Sequence, residues 1–209
     1  MRDIAAKELS SLNAKIKTTD YLNMSKFDYV LSFNYTNTYE RLYGSEKTQY
    51  CYIHGKAQED NLKTDIIFGI DDDLPRGEES SNFKLVKFKK YYQRIIFKTG
   101  SEYKDWLNPP NKPGGASGHI HIVGHSLDKT DYDVLFEFFN NNKFKIIIYY
   151  YCLDDFEDKV KKVIQLLACK GGNGRDELIR RVHGDQWSIK FVNQYDEIEG
   201  LFAPPLTNS

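Results

Sequence analysis

Two kinds of pattern alternate along this chain. Short, nearly continuous apolar runs fall at 28–33, 49–53, 65–70, 119–123, 144–151 and 188–193. Runs of that length without alternation predict strands covered on both faces. Between them, apolar residues recur at helical spacing. Ile4, Ala5, Leu9, Leu12 and Ile16 form one stripe over 3–16. Thr36-Asn37-Thr38 caps a short helix through Tyr39 and Leu42, which Gly44 ends. Phe83, Val86, Tyr91, Ile95 and Ile96 alternate with lysines and Arg94, which predicts a basic amphipathic helix over 83–98. A short helix follows at 101–107. Val134, Leu135, Phe138 and Phe139 predict another from near Asp131 to the Asn140–Asn142 stop. The cleanest stripe is Phe156, Val160, Val163, Ile164 and Leu167 in a helix over 155–169, ended by Gly171-Gly172. A last helix spans about 175–183.

Two segments break the alternation. Residues 71–82 are acidic and polar, and 108–118 read NPPNKPGGASG; both predict surface loops. Strands alternating with helices predict a single α/β domain over 1–209, with a Rossmann-like open, mostly parallel sheet and helices on both faces. The region 83–107 is then a helical insertion between strands.

Composition changes this picture little. Hydrophobic residues are 40% and charged residues 28%, an ordinary globular balance, although 15 tyrosines and 13 phenylalanines favour sheet and core packing. A net charge of −1 lacks the basic surplus that duplex nucleic acid requires. Cys51, Cys152 and Cys169 are scattered, as expected of thiols in a reducing compartment. The N-terminal residues form no signal-peptide core, and the longest apolar run, 146–153, is too short to span a bilayer. These features predict a cytoplasmic protein.

Ligands of open α/β sheets bind at the carboxyl ends of strands. Three such places carry chemistry. Asn34, in Ser32-Phe33-Asn34-Tyr35-Thr36, can hold a carboxamide or a water, or with Thr36 merely cap the next helix. His54, backed by Gly55, is a candidate general base or a hydrogen-bonded turn histidine. In Gly124-His125-Ser126-Leu127-Asp128, glycine permits close backbone approach, and Ser126 with the amides before a helix can meet ribose or phosphate. Asp128 and Asp131 can bind a hydroxyl or serve as helix-capping acids.

The order FNYT, then HG, then IIFG, then GHSLDxxD, together with FKKYYQRIIFKTG, resembles the C-terminal part of AbiH-type abortive infection proteins. The likeness runs from Tyr29 to Phe191. That family is in turn similar to the sirtuin-like superfamily. The resemblance implies an NAD site in a bacterial phage-defence protein, with NAD as substrate and no metal. In it Asn34 lines the nicotinamide pocket and His54 is the base on the ribose. Gly124, His125 and Ser126 frame the adenosine-side ribose, and Thr36 and Asp128 border the nucleotide. The implied reaction is cleavage of the nicotinamide–ribose bond. A phage or host protein is the implied trigger, and homo-oligomerisation stays open.

The chain departs from that pattern in three ways. Thr36 stands where an acid commonly follows the pocket asparagine. The zinc-binding cysteine pairs of protein deacetylases are missing. No first strand with a glycine-rich, pyrophosphate-binding turn precedes Asn34, since the first glycine is Gly44. The expectation is therefore a truncated, fragmentary or degenerate member. Two rival readings accompany it. One is a non-catalytic sensor or protein-interaction module, presenting for instance the 83–98 helix. The other is a metal-dependent hydrolase using His119, His121 and His125 with Asp128 and Asp131; Gly124 sits where the H-x-H-x-D-H pattern needs its acid.

Overall fold

The computed structural model describes residues 27–57, 66–69, 86–97, 99–109, 117–169, 171–183 and 187–193. The expected helix at 3–16 and the acidic loop at 71–82 lie outside them, as does most of the 108–118 loop.

Five strands form: β1 (Tyr29–Ser32), β2 (Gln49–Tyr52), β3 (Gly118–Ile122), β4 (Phe144–Tyr150) and β5 (Ile189–Asn193). The helices are α1 (Thr38–Tyr43), α2 (Lys90–Phe97), α3 (Tyr103–Leu107), α4 (Tyr132–Phe139), α5 (Leu153–Ala168) and α6 (Gly174–Val182). Single 3-10 turns precede α2, at Val86–Phe88, and α4, at Lys129–Asp131. Asn173 caps α6 by accepting the Arg175 and Asp176 amides.

Among the described residues every ladder is parallel, and the strands make two sheets, β1-β2 and β3-β4-β5. Ring contacts bridge the two. The Phe27 ring lies 5.2 Å from His121 and the Phe33 ring 4.2 Å from His125. Since Phe27 precedes β1 and Phe33 follows it, β1 runs in the same direction as β3.

The run at 65–70 gives no strand over its described residues 66–69. Its backbone groups are spent elsewhere. The Ile67 amide donates to the His54 carbonyl (2.9 Å), and the Phe68 carbonyl accepts from Gln93 Nε2 (2.8 Å). Gly69 lies so close to Lys90 that a Cβ there would sit 2.6 Å from the Lys90 amide nitrogen.

The basic helix is shorter than its periodicity predicts, and it is turned. Lys90 and Arg94 face acids of the α4 region, Asp131 and Asp133. Meanwhile Ile95 is 68% exposed, and Ile96 and Phe97 are also outward. On α5 the expected stripe does face the core, with Val163 buried and Val160, Ile164 and Leu167 packed against it, but the most deeply buried row adds Lys159 and Leu166. Phe156, Val160 and Ile164 also line an open groove of 630 Å³ with Ile179, Trp187 and Phe191. Lys159 is tolerated inside because Asp155, one turn earlier, neutralises it.

Two apolar clusters share helix α4. Leu135 and Phe139 join Ile146, Ile148, Val163, Leu166 and Ile189 in one. Val134 joins Cys51, Ile53, Tyr103 and Leu107 in the other. Phe33 packs against both. Buried Arg181 fastens the far end: its Nε donates to Ser188 Oγ (2.8 Å) and its Nη1 to the Phe139 carbonyl (2.6 Å).

Candidate functional site

The carboxyl ends of β1, β2 and β3 converge on one buried carboxylate. Asp131 closes the 3-10 turn that Asp128 caps, the Asp128 carboxylate accepting the Thr130 amide at 3.2 Å. It is 7% exposed. Three donors from three elements meet it. His54 Nε2, just past β2, lies 3.1 Å from one oxygen. Lys90 Nζ, at the start of α2, lies 3.2 Å from the same oxygen. His125 Nε2, past β3, lies 3.6 Å from the other. Burial alone would raise the Asp131 carboxyl, but hydrogen bonds from His125 and His54 and the charge of Lys90 outweigh it. The group is held well below the usual carboxylate range.

His54 itself is 5% exposed, and its main chain is fixed. The Gly55 amide donates to the Tyr52 carbonyl (3.0 Å), closing the turn that carries the histidine, with Gly55 in the left-handed region at φ 80°. Behind it, Gly100 has φ 70° and comes so close to Ile53 that a Cβ would lie 2.9 Å from the Ile53 carbonyl oxygen. The rings of Phe33 and Tyr35 stand 5.8 and 6.1 Å from the imidazole. Tyr35 is held in turn by its hydroxyl, which donates to the Ile67 carbonyl. His54 Nδ1 is buried and has no hydrogen-bond partner among the described residues.

His125 is also fixed. Its Nδ1 accepts the Leu127 amide at 2.8 Å, so hydrogen on the neutral ring resides on Nε2, towards Asp131. That bond depends on an uncommon backbone. Leu127 has φ 54° while its side chain is fully buried in the core. Gly124, three residues earlier, is also left-handed (φ 65°), and nothing lies within 4 Å of where its Cβ would be. Ser126 is exposed, and its carbonyl accepts from Lys162 Nζ (3.0 Å).

Asn34 and Thr36 lie at the rim and are exposed. The Asn34 backbone closes on Ser32 Oγ, and the Thr36 hydroxyl meets that of Thr38 at 3.0 Å. The structure thus brings His54 and His125 onto one group and leaves Asn34, Thr36, Gly124 and Ser126 around them. Lys90 belongs to the cluster, although sequence reading placed it among solvated charges. Its partner Asp131 lies 41 residues further on, beyond the reach of local charge patterning.

The other histidines are engaged separately. His121 Nδ1 lies 3.1 Å from the Tyr149 hydroxyl, and burial pushes this imidazole below its ordinary range. Among the described residues, no group of three or more His, Cys, Asp or Glu is placed to hold a metal ion. Cys51 is no nucleophile: burial and the Glu102 carboxylate, which accepts from Sγ at 3.2 Å, push its thiol up to about 12. No described helix is long and apolar enough to cross a membrane.

Comparison with known proteins gives one match. The family model for bacteriophage abortive infection AbiH matches residues 2–151, which takes in β1 to β4 and every residue of the cluster. No curated protein and no solved structure matches the chain.

Proposed function

This chain belongs to the bacteriophage abortive infection AbiH family, and from that premise we propose that it is a phage-defence protein whose cluster acts on an NAD-like nucleotide. The observation that carries the reading is His54: buried, anchored through Nε2, and with no hydrogen-bond partner for Nδ1 among the described residues, where β1, β2 and β3 end. A base of this kind suits a sugar hydroxyl or a water. Asn34 at the rim supplies the amide for a nicotinamide carboxamide. The left-handed Gly124 leaves open space where a ribose and phosphate can approach.

The strand arrangement supports a sirtuin-like, Rossmann-like reading. In the doubly wound order 3-2-1-4-5-6, the first strand lies centrally between the second and the fourth. Here β2-β1 and β3-β4-β5 correspond to the two flanks. The doubly wound order places its own first strand, with the phosphate-binding turn, between two such flanks.

The test is release of nicotinamide from NAD by this protein, with and without phage components. Turnover that His54→Ala abolishes in a folded protein is the expected result. If no nicotinamide is released under either condition, NAD cleavage is rejected.

A second reading has its own observation. Helix α2 presents Ile95 and Ile96 outward, and Phe68, held to it by Gln93, is 70% exposed. Apolar surface of this kind suits a sensor or interaction module. That module would bind a phage or host protein and keep its function when His54 is replaced.

A further inference from the structure

The two ring nitrogens of His54 have different fates. One is committed to Asp131 at 3.1 Å; the other is buried and has no hydrogen-bond partner among the described residues. A neutral imidazole carries hydrogen on one nitrogen and a lone pair on the other. Which is which follows from the carboxylate. Asp131 faces Lys90 and two histidines, and it is held anionic by them. An ionised carboxylate only accepts, so His54 Nε2 must donate.

We infer that Asp131 is the positioning residue of this site and that Nδ1 of His54, not Nε2, is its proton-accepting atom. The inference rests on the NAD reading for its substrate, but not for its geometry. Asp131 touches no substrate. It fixes the tautomer of His54 and stabilises the imidazolium formed when Nδ1 is protonated, as a buried carboxylate does for any base histidine. Lys90 donates at 3.2 Å, and His125 at 3.6 Å adds a nearby imidazole, which lets a carboxylate stay ionised at this depth. Phe33 and Tyr35 keep the ring from turning.

In the reaction proposed above, the bond between ribose and the positively charged nicotinamide nitrogen breaks. Its electron pair leaves with nicotinamide, which becomes neutral. Water adds to the ribose carbon, and the proton it loses passes to His54 Nδ1. NAD and water thus give nicotinamide, ADP-ribose and one proton, with no other reactant.

Nitrogen-15 NMR of the histidine-labelled full chain reads the geometry directly. His54 is assigned by loss of its signals in His54→Gln. The wild type is expected to show hydrogen on Nε2 and a bare Nδ1 in the neutral ring. Asp131→Asn, whose amide can donate to Nε2, is expected to shift hydrogen towards Nδ1. A bare Nε2 in the wild type, or an unchanged tautomer in Asp131→Asn, overturns the inference. Should Asp131→Asn not fold, the wild-type spectrum alone decides, since a bare Nε2 there overturns the assignment. In the NAD assay, Asp131→Asn should lower kcat about 10²–10⁴-fold with KM nearly unchanged. A rise in KM alone would make Asp131 a binding group and overturn the positioning role. Lack of NAD turnover removes the substrate reading and leaves the tautomer measurement to stand or fall on its own.

Discussion

At the scale of single residues, the site depends on backbone positions that sequence reading had no means of ranking. Gly100 and Gly124 are both left-handed glycines, yet they differ in what surrounds them. Gly100→Ala should cost about 2–4 kcal/mol, since it adds a clash with the Ile53 backbone to a strained φ. Gly124→Ala should cost only about 1 kcal/mol, because the space around it is open. Urea denaturation of the two variants checks the contrast; equal losses would mean that the approach of Gly100 to Ile53 does not matter. Asp131 sets a dependence on pH. Its folded value lies below the 3.8 of an ordinary aspartate, so the unfolded chain takes up its proton first as pH falls. The stability it contributes is thus whole above about pH 5 and is lost progressively below about pH 4. Asp131→Asn should flatten the acid limb of a stability–pH profile, and an unaltered slope would show that the carboxylate is not held as described. His54 was legible because a histidine before glycine at a strand end is a local signal. Asp131 was legible only as a helix-capping acid, a hydroxyl ligand or a metal ligand, and Lys90 not at all, because their roles arise from contacts some 40 residues apart, such as Lys90 to Asp131.

At the scale of elements, apolar runs located five of the six expected strands, and helical spacing located every helix that falls within the described residues. Orientation was harder to read. Periodicity identifies a stripe, but the neighbours decide which edge of the stripe is covered. In α5 the covered edge is Val163 and Leu166, and Leu166 is 1% exposed while Leu167 is only partly buried. Leu166→Ala should therefore destabilise by about 2–4 kcal/mol and Leu167→Ala by less than about 1.5 kcal/mol. Chemical denaturation gives the ranking, and the reverse order would return the face to the one that spacing implies. In α2, Lys90 and Arg94 turn inward because Asp131 and Asp133 are there to receive them. Those acids lie beyond any window in which charge patterning is read. The run at 65–70 failed as a strand for a related reason: its backbone is claimed by His54 and Gln93.

At the scale of the whole molecule, helix α4 is a wall common to both apolar clusters. Trp106 packs against one cluster, and Trp187 lines the groove beside the other. Single-tryptophan variants should therefore report coincident unfolding transitions. Separate midpoints would mean that the two sheets fold as independent units. The same sharing reaches the chemistry through Leu127. Its side chain is counted among the interior, but its peptide N–H settles which nitrogen of His125 carries hydrogen. Valine or isoleucine would fit the interior but not the left-handed backbone, and glycine would fit the backbone but empty the interior. Leu135 and Ile146 belong to the same cluster as Leu127, so a change in core packing there bears on the backbone that carries this amide. In this molecule the grease is part of the proton wiring.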